Sequence, residues 1–200
     1  MELKNRQSYP ELCFRVLEDL EARLPDHLTY HRIEHTIDVA NVCDHYIDHY
    51  GISGADAALL RIAAIAHDYG YIKGPEGHEE RSVALLSPLL ETGYSPEDVA
   101  RIAGMIRATR VPQNPRNLYE QIIADADLDY LGRGDYAPVS EALYQEFLHF
   151  GVVENRSEWL DLQIRFLEQH HYHTDWAVKH RSETKKAVLM GLLQQRNAQG

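Results

Sequence analysis

The sequence predicts an all-α protein, a bundle of roughly eight or nine helices. Three observations predict it. Apolar residues recur three and four positions apart in nearly every segment, the spacing of one helix face. Helix starts and stops bound those segments at ordinary helical lengths. No alternating apolar–polar run is long enough to make a useful strand.

Each element has its own signal. Leu12, Val16, Leu17, Leu20 and Leu24 line a first helix, with Pro25 just beyond its end. The second begins near His31 or His35 and runs through Ile37, Val39, Val42, Tyr46 and Ile47 to Gly51. Ser53, followed three residues later by Asp56, has the form of a capping box. The helix after it, Ala57 to His67, is apolar almost all round, which places it at the centre of the bundle. His67 and Asp68 terminate it and Gly70 breaks it. A loop over Tyr71 to Gly77 precedes a helix from His78 to Leu90, closed at Gly93. Ser95-Pro96-Glu97-Asp98 combines a cap, a proline at the first helical position and an acidic first turn. It opens a helix ending near Thr109, before the turn-rich Val111 to Pro115. Leu118 to Leu131 is helical and stops at Gly132 or Gly134; Tyr136 to Phe150, Ser157 to His170 and Thr174 to Gln195 complete the set. With no repeat, low-complexity tract or evident linker, residues 1–200 are expected to form one domain.

Composition narrows the partners. With 31 acidic and 20 basic residues the net charge is −11, whereas proteins that grip nucleic-acid backbones usually present basic surfaces. Long nucleic acid is not expected as a partner, though a mononucleotide is compatible. No run approaches the ~18 apolar residues of a membrane span, and the first residues lack the apolar core of a secretory signal. Cys13 and Cys43 sit among apolar neighbours in helical segments and are expected as buried thiols. A reducing cytoplasm fits best. Oligomeric state is open.

The chemistry lies in an ordered set: His35, then His67-Asp68, then Asp127. Two imidazoles and two carboxylates, delivered from three helices, are a ligand mixture that holds a divalent metal and leaves it reactive. His31 and His35 are four apart and so share a helix face. Asp127, four after Ile123 and four before Leu131, falls on an apolar stripe, where a lone carboxylate is costly unless paired or bound to metal. Singly, each has an ordinary reading: Asp127 as an exposed helix residue, His67 as a core histidine, His35 as a residue of a helix start. A buried metal explains all four at once.

Tyr30-His31-Arg32-Ile33-Glu34-His35, His67-Asp68-Tyr69-Gly70-Tyr71 and Asp125-Ala126-Asp127-Leu128-Asp129 resemble the HD superfamily of metal-dependent phosphohydrolases. His78-Glu79-Glu80-Arg81-Ser82 and Met105-Ile106-Arg107-Ala108-Thr109 look like its bacterial members. The resemblance covers about residues 25–135, with the helices of 136–197 expected to pack on that core. It implies an HD-type helical fold with His35, His67, Asp68 and Asp127 as metal ligands. The Tyr-His-x-x-x-His arrangement is also similar to that of cyclic-nucleotide phosphodiesterases, which implies His31 as a general acid. There are departures. Tyr71 stands where active relatives often carry lysine, an acidic residue or histidine. Only His78 lies between the doublet and Asp127, fewer histidines than dinuclear oxygenases and cyclic-dinucleotide-cleaving relatives need.

The expected activity is metal-dependent hydrolysis of a small phosphate ester, a nucleotide or sugar phosphate, by phosphomonoesterase or phosphodiesterase chemistry. Four ligands on an octahedral ion leave two positions open, so Mn²⁺, Fe²⁺, Co²⁺ or Ni²⁺ is favoured, with Zn²⁺ compatible and Mg²⁺ as a second ion bridged by Asp68. Water acidified there would attack phosphorus, with His31 as proton donor to the leaving oxygen. Lys73, His78, Arg81 and Arg107 are the candidate phosphate contacts; each also has an ordinary surface or capping reading. Competing readings are a metal-bound regulatory or sensory module of weak turnover and, behind it, a dinuclear iron oxygenase. His170 to His173 is expected to pack or cap at a helix junction, with a lid over the site as the alternative. His45 and His49 are expected on a solvent face, and the cluster around Trp159 in the core.

Overall fold

The computed structural model describes residues 2–198. Among them are nine α-helices and no strand: α1 (Glu11–Arg23), α2 (Ile33–His49), α3 (Gly54–Ala66), α4 (His78–Leu90), α5 (Pro96–Ala108), α6 (Leu118–Asp127), α7 (Tyr136–His149), α8 (Arg156–Gln169) and α9 (Asp175–Asn197). Short 3-10 turns at Arg6–Ser8, Tyr69–Lys73 and Asp129–Gly132 punctuate them. No helix among the described residues is long and apolar enough to cross a membrane. The chain forms two compact units. One takes the chain up to Pro25 together with His31–Asp127; the other takes Asp26–Tyr30 and the chain from Leu128 onward.

In the first unit α3 is the axis and packs against α1, α2, α4, α5 and α6. Its apolar circumference requires this: Leu60, Ile62, Ala63, Ala64, Ile65 and Ala66 are completely buried. Cys13 and Cys43 are buried free thiols, as expected. The start of α5 also follows its sequence, with Ser95 and Asp98 forming a reciprocal capping box behind Pro96.

Three local expectations are corrected. Ser53 caps α3 without a side-chain hydrogen bond, and Asp56, the other half of the expected box, pairs instead with Arg101 and Tyr119 at 2.7 and 2.8 Å. Helix α2 begins at Ile33, so His31 precedes the helix and does not share a helical face with His35. The segment before it is diverted: the backbone N–H groups of Thr29 and Tyr30 donate to the buried carboxylate of Glu146. The helix expected over Leu118 to Leu131 ends at Asp127, and a 3-10 turn takes over at Asp129. That turn is held within the second unit by Asp129, which is 1 % exposed and accepts a 2.7 Å bond from Arg181 Nε.

The second unit packs α8 against α9, and the Asp129–Gly132 turn against α7 and α9. Its core gathers Tyr30, Leu128, Tyr130, Leu131, Tyr136 and Leu167. Tyr144, Val153 and Trp159 form a smaller cluster, so Trp159 is core. The His170–His173 segment joins α8 to α9: Tyr172 is buried, Lys185 donates to the carbonyls of Leu167 and His170, and Thr174 caps α9 through Ala177 N–H. In α2 of the first unit, His45 and His49 are exposed.

One close approach fixes the chain after α3. A Cβ on Gly70 would lie 2.1 Å from the carbonyl oxygen of His78, a contact only backbone movement relieves. Gly70→Ala is therefore expected to destabilise the protein by about 1–3 kcal/mol, the usual cost of overpacking. Urea denaturation measures this, and a stability within about 0.5 kcal/mol of the parent, the range of an ordinary surface change, would contradict the assignment.

Candidate metal centre

Three elements of the first unit deliver the candidate ligands. His35 comes from the first turn of α2, Asp127 from the last residue of α6, and His67 from the position that closes α3. Asp68 then caps the 3-10 turn Tyr69–Lys73. Where apolar α3 ends, the chain is tied down on both sides. Tyr69 Oη donates to Asp19 Oδ2 of α1 at 2.5 Å. Ser82 of α4, fully buried, donates to the His67 carbonyl at 2.8 Å and accepts from Gly70 N–H at 2.7 Å. Ser82 thus fixes the doublet's backbone, a role the sequence did not signal beyond its place in the His78 to Ser82 stretch.

The donor atoms converge. His35 Nε2 and His67 Nε2 are 3.3 Å apart. Asp127 Oδ1 lies 3.2 Å from the first and 3.5 Å from the second. Asp68 Oδ2 lies 3.5 Å from His35 Nε2 and 3.2 Å from His67 Nε2. Each carboxylate therefore touches both imidazole nitrogens. His35, His67 and Asp127 form a group whose donor atoms all lie within 4.8 Å of one another. Ligands about 2.1 Å from a common ion would be separated by roughly 3.0–3.4 Å between octahedral and tetrahedral angles, given usual metal–nitrogen lengths. The observed spacings match that range closely.

Hydrogen bonding supports the fit. His67 Nδ1 faces the Ala64 carbonyl at 2.9 Å; donating there leaves Nε2 as the ligating nitrogen, the usual outer-sphere arrangement of a metal-bound histidine. Asp68 Oδ2 is buried and makes no hydrogen bond. A buried carboxylate oxygen left so is costly unless a cation meets it. The fields are strong. Burial opposes charge on His67, but Asp68 and Asp127 outweigh it and raise its pKa well above the ordinary imidazole value. Burial likewise pushes the carboxylates upward, yet His67 and His78 hold Asp68 well below the usual range, and His35 and His67 hold Asp127 at about 2.

The other expected site residues separate into two groups. His78 reaches the centre: its Nε2 lies 3.3 Å from Asp68 Oδ1, while its Nδ1 faces the Pro75 carbonyl at 2.9 Å. Burial lowers the His78 pKa, but Asp68 raises it more. His31 also reaches the centre, its ring 5.9 Å from that of His35, and its Nε2 lies 3.0 Å from Tyr71 Oη. Lys73 is exposed at the end of the 3-10 turn. Arg81 is committed elsewhere, donating to the carbonyls of Gly70, Gly74 and Glu76 and so cross-bracing the loop. Arg107 makes a two-pronged exposed pair with Glu80. Buried Glu79, near His78 and Arg110, gave no signal in the sequence.

A family model described as HD domain matches residues 32–129, a span that contains all four converging ligands. The chain is also similar in structure to a predicted HD superfamily hydrolase from an uncultured Thermotogales bacterium, with a TM-score of 0.64, 22 % identity and full coverage of both chains. No curated protein matches it significantly. The matched region, the order of the candidate ligands within it and their convergence agree with one another.

Proposed function

We propose that the protein is a metal-dependent phosphohydrolase acting on a small phosphate ester, a nucleotide or sugar phosphate. One observation carries the reading: two carboxylate oxygens each lie 3.2–3.5 Å from both of two imidazole nitrogens, themselves 3.3 Å apart, in a largely buried setting. His35, His67, Asp68 and Asp127 would hold one divalent cation of the Mn²⁺, Fe²⁺, Co²⁺, Ni²⁺ or Zn²⁺ class. Such a cation would supply acidified water and offset the negative charge of the phosphate oxygens. The chain's residues do the rest. Ser82 and Tyr69 hold the doublet in place, and the carboxylates keep their charge at neutral pH. His31 stands beside the ligands as the proton donor to the leaving oxygen. His78 faces the outer oxygen of Asp68 with its other nitrogen on a carbonyl, the same arrangement as His67. That favours His78 and Asp68 as holders of a second cation, Mg²⁺ included, in preference to a phosphate contact. Lys73 remains the candidate phosphate contact in the loop.

Two outcomes follow from this centre. His67 holds a proton with raised affinity, and a cation binding its Nε2 must displace it. Protons and cations therefore compete, so affinity for Mn²⁺ should fall as pH falls through the raised His67 pKa. Titration calorimetry in buffers of different ionisation heat should show proton release on binding; no release would contradict the ligand assignment. For turnover, the protein loaded with Mn²⁺ should hydrolyse members of a panel of nucleoside phosphates, cyclic nucleotides and sugar phosphates. His67→Ala and Asp68→Ala should each lose at least ~10³-fold in kcat/KM, in line with removal of groups that act as a unit. Equal turnover in parent and variants would sink the hydrolase reading, and bound metal without turnover on any ester would point to the regulatory module.

A further inference from the structure

We infer that Tyr71 is a positioning residue for His31, holding the imidazole in the orientation from which it donates its proton. The inference rests on the phosphohydrolase reading for what His31 does, and on the coordinates for how it is held. Tyr71 is buried in the 3-10 turn that follows the doublet, and its backbone N–H donates to the Asp68 carbonyl at 2.9 Å. Its backbone is therefore held by the same turn that Asp68 opens. The ring stacks on His31 with centroids 4.0 Å apart and planes within 15°. Its hydroxyl lies 3.0 Å from His31 Nε2. It also meets the ring of His78, with centroids 4.4 Å apart.

His31 needs such a hold because it precedes α2 and gains no orientation from a helix. A stacked face restricts tilt, and a hydrogen bond to one ring nitrogen restricts rotation about the ring axis. Together they define one ring orientation, which is what a proton donor requires when small misplacements are costly. The residue that departs from the pattern of active relatives thus has a role of its own in this chain, tied to the imidazole beside the metal ligands.

The test uses the full chain with Mn²⁺ and glycerol 2-phosphate, whose alkoxide leaving group needs a proton, with metal content and melting temperature measured for every variant. Tyr71→Phe keeps the ring and removes the hydroxyl; it should lower kcat about 2- to 10-fold, the worth of one hydrogen bond, with KM unchanged. Tyr71→Leu removes the stack as well and should lower kcat by on the order of 100-fold. In a His31→Ala background, Tyr71→Phe should have no further effect, because the residue acts through the imidazole. Losses that simply add, or a Tyr71→Phe kcat equal to the parent, overturn the inference. A second readout is independent of turnover: ¹⁵N NMR of labelled histidines should show the His31 Nε2 resonance moving in Tyr71→Phe while those of His35 and His67 stay. An unmoved His31 resonance overturns the inference. A moved resonance in a protein that hydrolyses nothing overturns the hydrolase reading and leaves the hold of Tyr71 on His31 standing.

Discussion

The constraint on which the structure turns is the near-burial of two imidazoles and two carboxylates, each carboxylate against both rings, where α2, α3 and α6 of the first unit meet. Such groups are expensive to take from water unless imidazoles and carboxylates offset one another's charge. The surrounding fold serves that demand. Helix α3 is apolar on all sides and lies at the middle of its unit, so its last residue emerges where helices converge. The turn after it is fixed by Tyr69 on α1 and by Ser82 on α4. Gly70 allows the start of α4 to pass close enough to bring His78 to Asp68.

Much of this was legible in the sequence, for identifiable reasons. The apolar circumference of Leu59 to Ala66 gives a central helix in any helical bundle. Ser95 to Asp98 is a local capping unit whose geometry depends on four residues alone. The four ligands were legible because imidazole and carboxylate recur as an ordered set on helical segments, with Asp127 on an apolar stripe. What was not legible depended on distant partners. Asp56 leaves Ser53 for Arg101 and Tyr119, residues 45 and 63 positions away. The break after Asp127 depends on Arg181, 52 positions from Asp129. The path of Thr29 and Tyr30 depends on Glu146, 116 positions from Tyr30. Helical periodicity carries no information about such pairs.

The same distinction separates the site residues. His78 lay in a helix start and could have been a simple cap; only the fold reveals its nitrogen on Asp68. Arg81 and Arg107 looked like phosphate contacts by residue type, yet their guanidinium groups are occupied by backbone carbonyls and by Glu80. Tyr71 looked like a deficit when compared with relatives, whereas in the fold it contacts the candidate acid. A guanidinium can find many partners in a chain of net charge −11, so its presence near a motif says little until the partners are known. An imidazole beside a buried carboxylate has few alternatives, which is why the histidine–aspartate set carried the reading.

The central claim is that His35, His67, Asp68 and Asp127 hold a catalytic cation. X-ray absorption spectroscopy of the Mn²⁺-loaded chain tests it most directly. The account predicts a six-coordinate ion of nitrogen and oxygen donors with scattering from two imidazole rings, reduced to one ring in His35→Ala. A spectrum with no imidazole scattering, or one unchanged by His35→Ala, would contradict it.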